Sequence, residues 1–357
     1  MDKVRIGMVG AGNIANSHLR SYVKLPDVEI AAICDINPER LKITAEAFGI
    51  ENTFASVDEM LENVELDAAD VCVWNCSHAE CSIKALEAGL HVLCEKPMAF
   101  NTEQAIKMKE AADKAGKLLM VGFTMRFSNE HEIAEDFIKQ GYLGDIYYSK
   151  ATYIRRHGAP GGWFSKKELS GGGPVIDLGV HVIDHTRYLM GNPKPVSVYA
   201  ATFDKLKNRP NIKTGVGWSP MGANNGDPYD VEDLATALIR YDNGAVTLLE
   251  TSYSLNGESR EGEKELYGTK GGMTLKGFGT ELKIYTEVNG FLSDITPDIK
   301  AYKPDRNKFD EEMKHFVDCI KNGIKCLAPA EDGITIMKIL DAIYESARTG
   351  HEVIIED

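Results

Sequence analysis

Residues 4–25 read "VRIGMVGAGNIANSHLRSYVKL". An apolar run of strand character, "VRIGMVG", leads into glycines and then into "NIANSHLRSYVKL", whose apolar residues recur at helical spacing. The junction, Gly10-Ala11-Gly12-Asn13-Ile14-Ala15, is a GxGxxA pattern. Six such residues alone occur often by chance, but the strand before and the helix after give them meaning. Gly10 permits a tight turn, and Gly12 lets the backbone approach a pyrophosphate whose charge meets the helix N-terminus. A small residue at 15 allows close helix–strand packing. Gly10, Gly12, Asn13 and Ile14 are therefore expected at the phosphates of a dinucleotide. Asp35 ends the next apolar run, "VEIAAICD", 20 residues after Ala15. A carboxylate there accepts hydrogen bonds from an adenosine ribose and repels a 2′-phosphate, favouring NAD over NADP, with Arg40 as the counter-indication. Without the glycines, a solvated turn aspartate would be the better reading.

Outward from this stretch, apolar runs and amphipathic stretches alternate for roughly the first 120 residues, as in βαβ units. The helix "NPERLKITAEAFG" opens at Asn37-Pro38 and closes at Gly49, followed by "ADVCVW", "AECSIKALEAG", "HVLCE", "TEQAIKMKEAADKAG" and "LLMVGF". The order predicts a doubly wound parallel sheet. After Phe123 come one helix, "EHEIAEDFIKQ", and then long alternating runs such as "DIYYSKATYIRR" and "DLATALIRYDNGAVTLLETSYSL". These predict a mostly antiparallel sheet, interrupted by the helix "PVIDLGVHVIDHTRYLMG". Two amphipathic helices, "FDEEMKHFVDCIKNG" and "AEDGITIMKILDAIYESARTG", end the chain. The fold class is α/β, with domains at 1–123 and 124–357.

At 357 residues, two domains are expected. The net charge of −14 disfavours nucleic acid and anionic membrane as partners. No run approaches a membrane span, and no signal peptide precedes the first strand, so a cytoplasmic location is expected. The seven cysteines include no CxxC pair and read as reduced and structural. The long antiparallel runs would leave a sheet face that a monomer covers poorly, which predicts a homo-oligomer, a dimer or tetramer.

One stretch raises a different question. "LCEKPMAF", residues 93–100, places Glu95 and Lys96 at the end of a buried strand, where desolvating an ammonium is costly. A solvated turn is one explanation. The other is an anionic or developing anionic group, because ligands of doubly wound sheets bind beyond the carboxyl ends of the strands.

"GAGNIA", "HAECSIKALEAGLHVLCEKPMA", "VGFTMRF", "GGGPVIDLGVHVIDH" and "AEDGITIMKILDAIYESARTG" together resemble the glucose–fructose oxidoreductase, inositol dehydrogenase and rhizopine-catabolism (Gfo/Idh/MocA) family over nearly the whole chain. The resemblance implies a Rossmann domain joined to an α/β domain with an open, largely antiparallel sheet that often mediates oligomer contacts. It implies an NAD(P)-dependent oxidoreductase acting on sugars and cyclic polyols. It maps Lys96 onto the family's lysine, Asp177 and His181 onto its DxxxH pair, and Arg126 onto the arginine of its GFxxRF segment. Asn75, His78, Glu95 and Lys96 are expected at the cofactor. The chain departs from the family at Val73-Trp74, where relatives often carry Thr-Pro.

Oxidising a secondary alcohol requires a base for the hydroxyl proton and positive charge for the developing alkoxide. His181 is the expected base, Lys96 the electrostatic and orienting group, and Asp177 a hydroxyl anchor. Positions 177, 181 and 184 share one helix face. For an isolated helix an ordinary Asp–His surface pair is the commoner case, and a metal held by Asp177, His181 and His185 is the third reading. A lysine-bearing dinucleotide crevice favours proton transfer over metal. Lys96, Arg126, Arg156, Trp163, Asp177 and His181 are the expected substrate contacts; Arg155, His157, Tyr229, Glu232 and Asp233 are weaker candidates. The segments 154–170 and 216–233 are expected to shape the pocket. The function expected is NAD-dependent oxidation of a ring hydroxyl of a sugar, glycoside or cyclic polyol. The alternatives are a glycosidase working through transient ring oxidation and a non-catalytic NAD-binding regulator.

Overall fold

A computed structural model of the chain describes residues 3–207, 209, 212–213, 229–277, 279 and 281–356. Most of the pocket-shaping segment expected at 216–233 therefore lies outside the described residues. The chain forms two compact units, Met1–Thr124 with Asn307–Met337, and Met125–Arg306 with Lys338–Asp357.

The first unit begins β1 (Val4–Val9), α1 (Asn13–Tyr22), β2 (Val28–Cys34), α2 (Pro38–Phe48), β3 (Thr53–Phe54), α3 (Val57–Asn63) and β4 (Ala68–Val71). α4 (His78–Glu87), β5 (His91–Cys94), α5 (Thr102–Ala115) and β6 (Leu119–Val121) follow. Six strands run in the order β3-β2-β1-β4-β5-β6, and every pairing is parallel. The order reverses beside β1, which makes the carboxyl ends of β1 and β4 the switch point. Local chemistry sets the helix ends. Asn37 accepts the Arg40 N–H at 3.0 Å with Pro38 in the first turn, and Gly49 stops α2 in the left-handed region.

The second unit carries α6 (Asn129–Lys139), β7 (Ile146–Ile154), α7 (Lys167–Ser170), α8 (Val180–Leu189), β8 (Pro195–Phe203), β9 (Leu234–Tyr241) and β10 (Val246–Ser252). β11 (Arg260–Gly268), β12 (Gly272–Lys276), β13 (Glu281–Val288) and β14 (Phe291–Ile295) complete its long run of strands. With β15 (Val353–Ile354), nine strands are ordered β14-β13-β12-β11-β7-β10-β9-β8-β15. Only β7 and β10 pair in parallel. Leu189 joins the apolar core on this sheet with Leu266, Met273, Leu275 and Ile284.

Two features differ from the sequence reading. α9 (Lys308–Asn322) and the first part of α10 (Ala330–Thr349) belong to the first unit rather than to the domain that precedes them. Ion pairs between Lys24 and Asp310 and between Lys321 and Asp27 tie α9 beside α1, and Pro329 bridges to Met120 of β6. The helix expected from Pro174 also begins as a π-helical turn, Val175–Gly179, where the Val180 N–H bonds the Val175 carbonyl five residues back.

Candidate active site

In the first unit, β1 delivers Gly10 with φ +102°, a region that disfavours any side chain, and a Cβ there would collide with the Cys72 carbonyl. Gly12 differs. A Cβ on it would meet nothing within 4 Å, so the backbone borders open space where a phosphate has room. Gly12 is also the N-cap of α1 and has no side-chain cap, leaving the orphan N–H groups of Asn13 and Ile14 for an anion. Ala15 is buried against the sheet. Asp35 accepts the Ala11 N–H at 2.7 Å and the Asn37 N–H at 2.7 Å, which fixes it against the glycine loop. Two carboxylate oxygens offer about four acceptor sites, so ribose hydroxyls still have places to bond. These residues fit a dinucleotide.

Below Lys96 lies a buried polar group that the sequence did not disclose. His18 of α1 is wholly buried, with Nδ1 2.9 Å from Asp70 and Nε2 3.2 Å from Glu95. The second approach is an ion-pair contact and not an aligned hydrogen bond. Burial is the largest influence and disfavours an imidazolium, but the charge and hydrogen bond of Asp70 together with those of Cys72 outweigh it and hold His18 well above its ordinary pKa. Burial likewise acts against a charged Glu95, yet His18 and then Lys96 hold its carboxyl below the usual range. Glu95 also accepts the Lys96 N–H at 2.9 Å. Nearby, burial pushes Glu312 of α9 up to about 8, and Thr124 donates to it at 2.9 Å. Glu95 is thus a buried support for the Lys96 turn.

His78 is buried as well. Its ring nitrogens face the Pro97 carbonyl at 2.7 Å and the Val73 carbonyl at 3.2 Å, so it ties the loop after β4 to the Lys96-Pro97 turn. Burial keeps it neutral, below its ordinary pKa. Asn75 is buried in the short helical turn just before it, and Lys96 is half-buried.

In the second unit, the "GGGP" stretch is explained by what surrounds it. A Cβ on Gly172 would collide with the Tyr344 hydroxyl, and one on Gly173 with the Glu232 carbonyl. Glu232 caps the helix from afar, accepting the Gly173 N–H at 3.0 Å, the Val175 N–H at 3.2 Å and the Tyr344 hydroxyl at 2.9 Å. From Gly172 to Arg187, only Asp177 and His181 are not buried. Four residues apart, they lie on one face of the helix. Tyr253, wholly buried on the strand side, donates to Asp177 at 3.0 Å. Nothing in the residue pattern marks this tyrosine, which sits in an ordinary alternating run.

Asp184 parts from the face expected of it. It is buried in an ion pair with Arg126, at 2.5 and 3.1 Å, and the Arg126 guanidinium lies 4.3 Å from the Tyr188 ring centre. With its side chain fully buried, Arg126 anchors α8 through this pair. His185 turns to His131, at 2.9 Å, and so leaves the proposed trio with Asp177 and His181. Arg156 is exposed, its backbone bonded to Ser259 and Arg209. Trp163 is half-buried with its ring centre 3.9 Å from that of Phe164. Arg155, a weaker candidate from sequence, bonds the Tyr153 hydroxyl at 3.1 Å and lies within electrostatic reach of Asp177.

A parallel sheet with an uncapped helix start, a side-chain-free approach and an anchored ribose carboxylate has the chemistry of an NAD-binding oxidoreductase. The comparisons with known proteins agree. Residues 4–123 match the model described as "Oxidoreductase family, NAD-binding Rossmann fold", and residues 136–355 match "Oxidoreductase family, C-terminal alpha/beta domain". The chain belongs to the Gfo/Idh/MocA oxidoreductase family. It is 35% identical over 353 residues to D-glucoside 3-dehydrogenase of Escherichia coli K12, covering 98% of this chain and 97% of that protein. It is 30% identical to levoglucosan dehydrogenase of Pseudarthrobacter phenanthrenivorans over 76% of this chain and 73% of the relative. A solved structure of levoglucosan dehydrogenase in complex with NADH superposes with a TM-score of 0.86 at 25% identity, covering 100% of both chains. No helix among the described residues is long and apolar enough to cross a membrane.

Proposed function

We propose that this protein oxidises a secondary hydroxyl of a sugar, glycoside or cyclic polyol to a ketone, reversibly. The observation that carries the reading is the selective exposure of Asp177 and His181 on an otherwise buried helix, in a chain whose first unit is built for NAD. Relatives named for glucosides, levoglucosan and myo-inositol support the substrate class. NAD accepts the hydride. Asp177, held by Tyr253, anchors a substrate hydroxyl, His181 takes the hydroxyl proton, and Lys96 stabilises the developing alkoxide. Arg156 and Trp163 are substrate contacts in this reading.

The test is a screen of polyols and glycosides with NAD, following NADH absorbance and identifying ketones by mass spectrometry. Accumulating NADH with a matching ketone supports the dehydrogenase. Hydrolysed glycoside without NADH accumulation sinks it in favour of a glycosidase. We further propose that the protein works in the cytoplasm as a homo-oligomer, a dimer or tetramer. Tyr199 and Leu238, paired across β8 and β9, are 55% and 41% exposed and offer an apolar sheet surface to a second copy.

A further inference from the structure

α9 ends at Gly323, in the left-handed region, and the reversal brings Cys326 back to the helix it has just left. There it meets His315 and Cys319, spaced four residues apart on α9. The donor atoms of all three lie within 4.8 Å of one another. Neither cysteine is in a disulfide. Two thiols and an imidazole in contact suggest a metal site or a reactive dithiol, and the histidine decides between them. His315 Nε2 lies 3.4 Å from Cys319 Sγ and already accepts the Leu327 N–H at 2.9 Å. A metal ligand must give that lone pair to the cation. Here a backbone N–H holds it.

We propose that Cys319 and Cys326 are an oxidisable dithiol in which Cys326 attacks hydrogen peroxide and Cys319 resolves the product. The Cys326 sulfur attacks one peroxide oxygen, the O–O bond breaks, and water leaves as Cys326 becomes a sulfenic acid. The Cys319 sulfur then attacks Cys326, the S–O bond breaks, and a second water departs. Two thiols and one peroxide give one disulfide and two waters. The division of roles follows exposure, since Cys326 is partly open to solvent while Cys319 is buried. Hydrogen bonding from Cys319 and His315, together with the Ala328 backbone, pulls the Cys326 thiol below its ordinary pKa despite burial. Its partner Cys319 is pushed up by that same contact and by burial, with Asp318 adding to it. Elsewhere burial raises Cys34 and Cys81 to about 12 and about 11, and raises Cys72 and Cys94 as well, which makes them poor nucleophiles. The disulfide would join the end of α9 to the segment whose Ala328 carbonyl accepts the Val121 N–H of β6 at 2.9 Å.

The experiment treats the reduced full-length protein with equimolar hydrogen peroxide, alkylates the remaining thiols and maps peptides by mass spectrometry. The expected result is a loss of two hydrogens linking Cys319 to Cys326, reversed by dithiothreitol, while Cys34, Cys72 and Cys94 stay reduced. In C319S, Cys326 should hold one oxygen that dimedone captures; in C326S, Cys319 should stay reduced. The proposal is overturned if the wild-type protein forms no such link, or if Cys319 oxidises as fast in C326S. It is equally overturned if the purified protein carries stoichiometric zinc that shields both thiols until a chelator removes it. The wild-type map decides the question even where a serine variant fails to fold.

Discussion

Lys96 carries the sharpest prediction at the residue scale. Lys96→Met removes the ammonium and leaves the turn held by Glu95 and His78, so NAD binding should survive in fluorescence titration. Turnover should fall roughly a hundredfold or more, the cost of losing one preorganised donor. His181→Ala should also lose activity, and the wild-type rate should decline at acid pH as the base takes up a proton. A folded Lys96→Met protein with near-normal kcat on its substrate would end the assignment. Asp35→Ala tests the other end of the cofactor. Its carboxylate already orders the Ala11 amide, so the variant should bind NAD more weakly and lose its preference over NADP, measured as the ratio of the two dissociation constants. Tighter NADP than NAD binding by the wild-type protein would contradict the role given to Asp35.

The element scale shows what the chain declared about itself and what it withheld. The strand–glycine–helix passage from β1 to α1 was legible because each step has a local cause: a buried strand, a positive-φ glycine, an uncapped helix start. Glu232 was not legible as a cap, since it acts on Gly173 and Val175 from 59 and 57 residues away. His18 and Asp70 were hidden for the same reason: helical spacing marks His18 as a residue of α1, while its buried partners come from β4 and from the turn after β5. The triple glycine read as a helix prelude, but Tyr344 and the Glu232 carbonyl explain why side chains are excluded. Gly172→Ala must displace the Tyr344 hydroxyl and with it the Glu232 cap. We expect a lowered melting temperature by circular dichroism, with a larger loss than for Gly12→Ala, whose Cβ enters open space.

For the whole molecule, the buried charges give stability a direction with pH. Glu312 in the folded protein titrates near 8, against 4.5 for an ordinary glutamate. Between those values the folded state holds a proton that the unfolded chain has released. Stability must therefore fall as pH rises through that window. His18 acts in the same sense, because its raised pKa makes the folded imidazolium a contribution present at low pH and lost as pH climbs through the folded value. Chemical denaturation of Glu312→Gln between pH 5 and pH 8 should show a flatter decline than the wild-type protein. An unchanged slope would mean that Glu312 is ionised in the fold. Asn307–Met337 groups with Met1–Thr124 although it follows the second run of strands: contact, not chain order, assigns a late helix to an early sheet.

The π turn at Val175–Gly179 has a consequence for phase. Each residue of an α-helix advances the side chains by about 100°, and a π turn accommodates one residue more than an α turn. That surplus lets one continuous helix meet two fixed appointments: Asp177 opposite Tyr253, and Asp184 against Arg126. A chain one residue shorter here would wind as plain α-helix and could keep only one of them. Deleting Gly179 should leave Arg126 and Asp184 paired, because their burial makes separation costly, and rotate Asp177 away from Tyr253. The protein would fold around its salt bridge with Asp177 out of step with Tyr253.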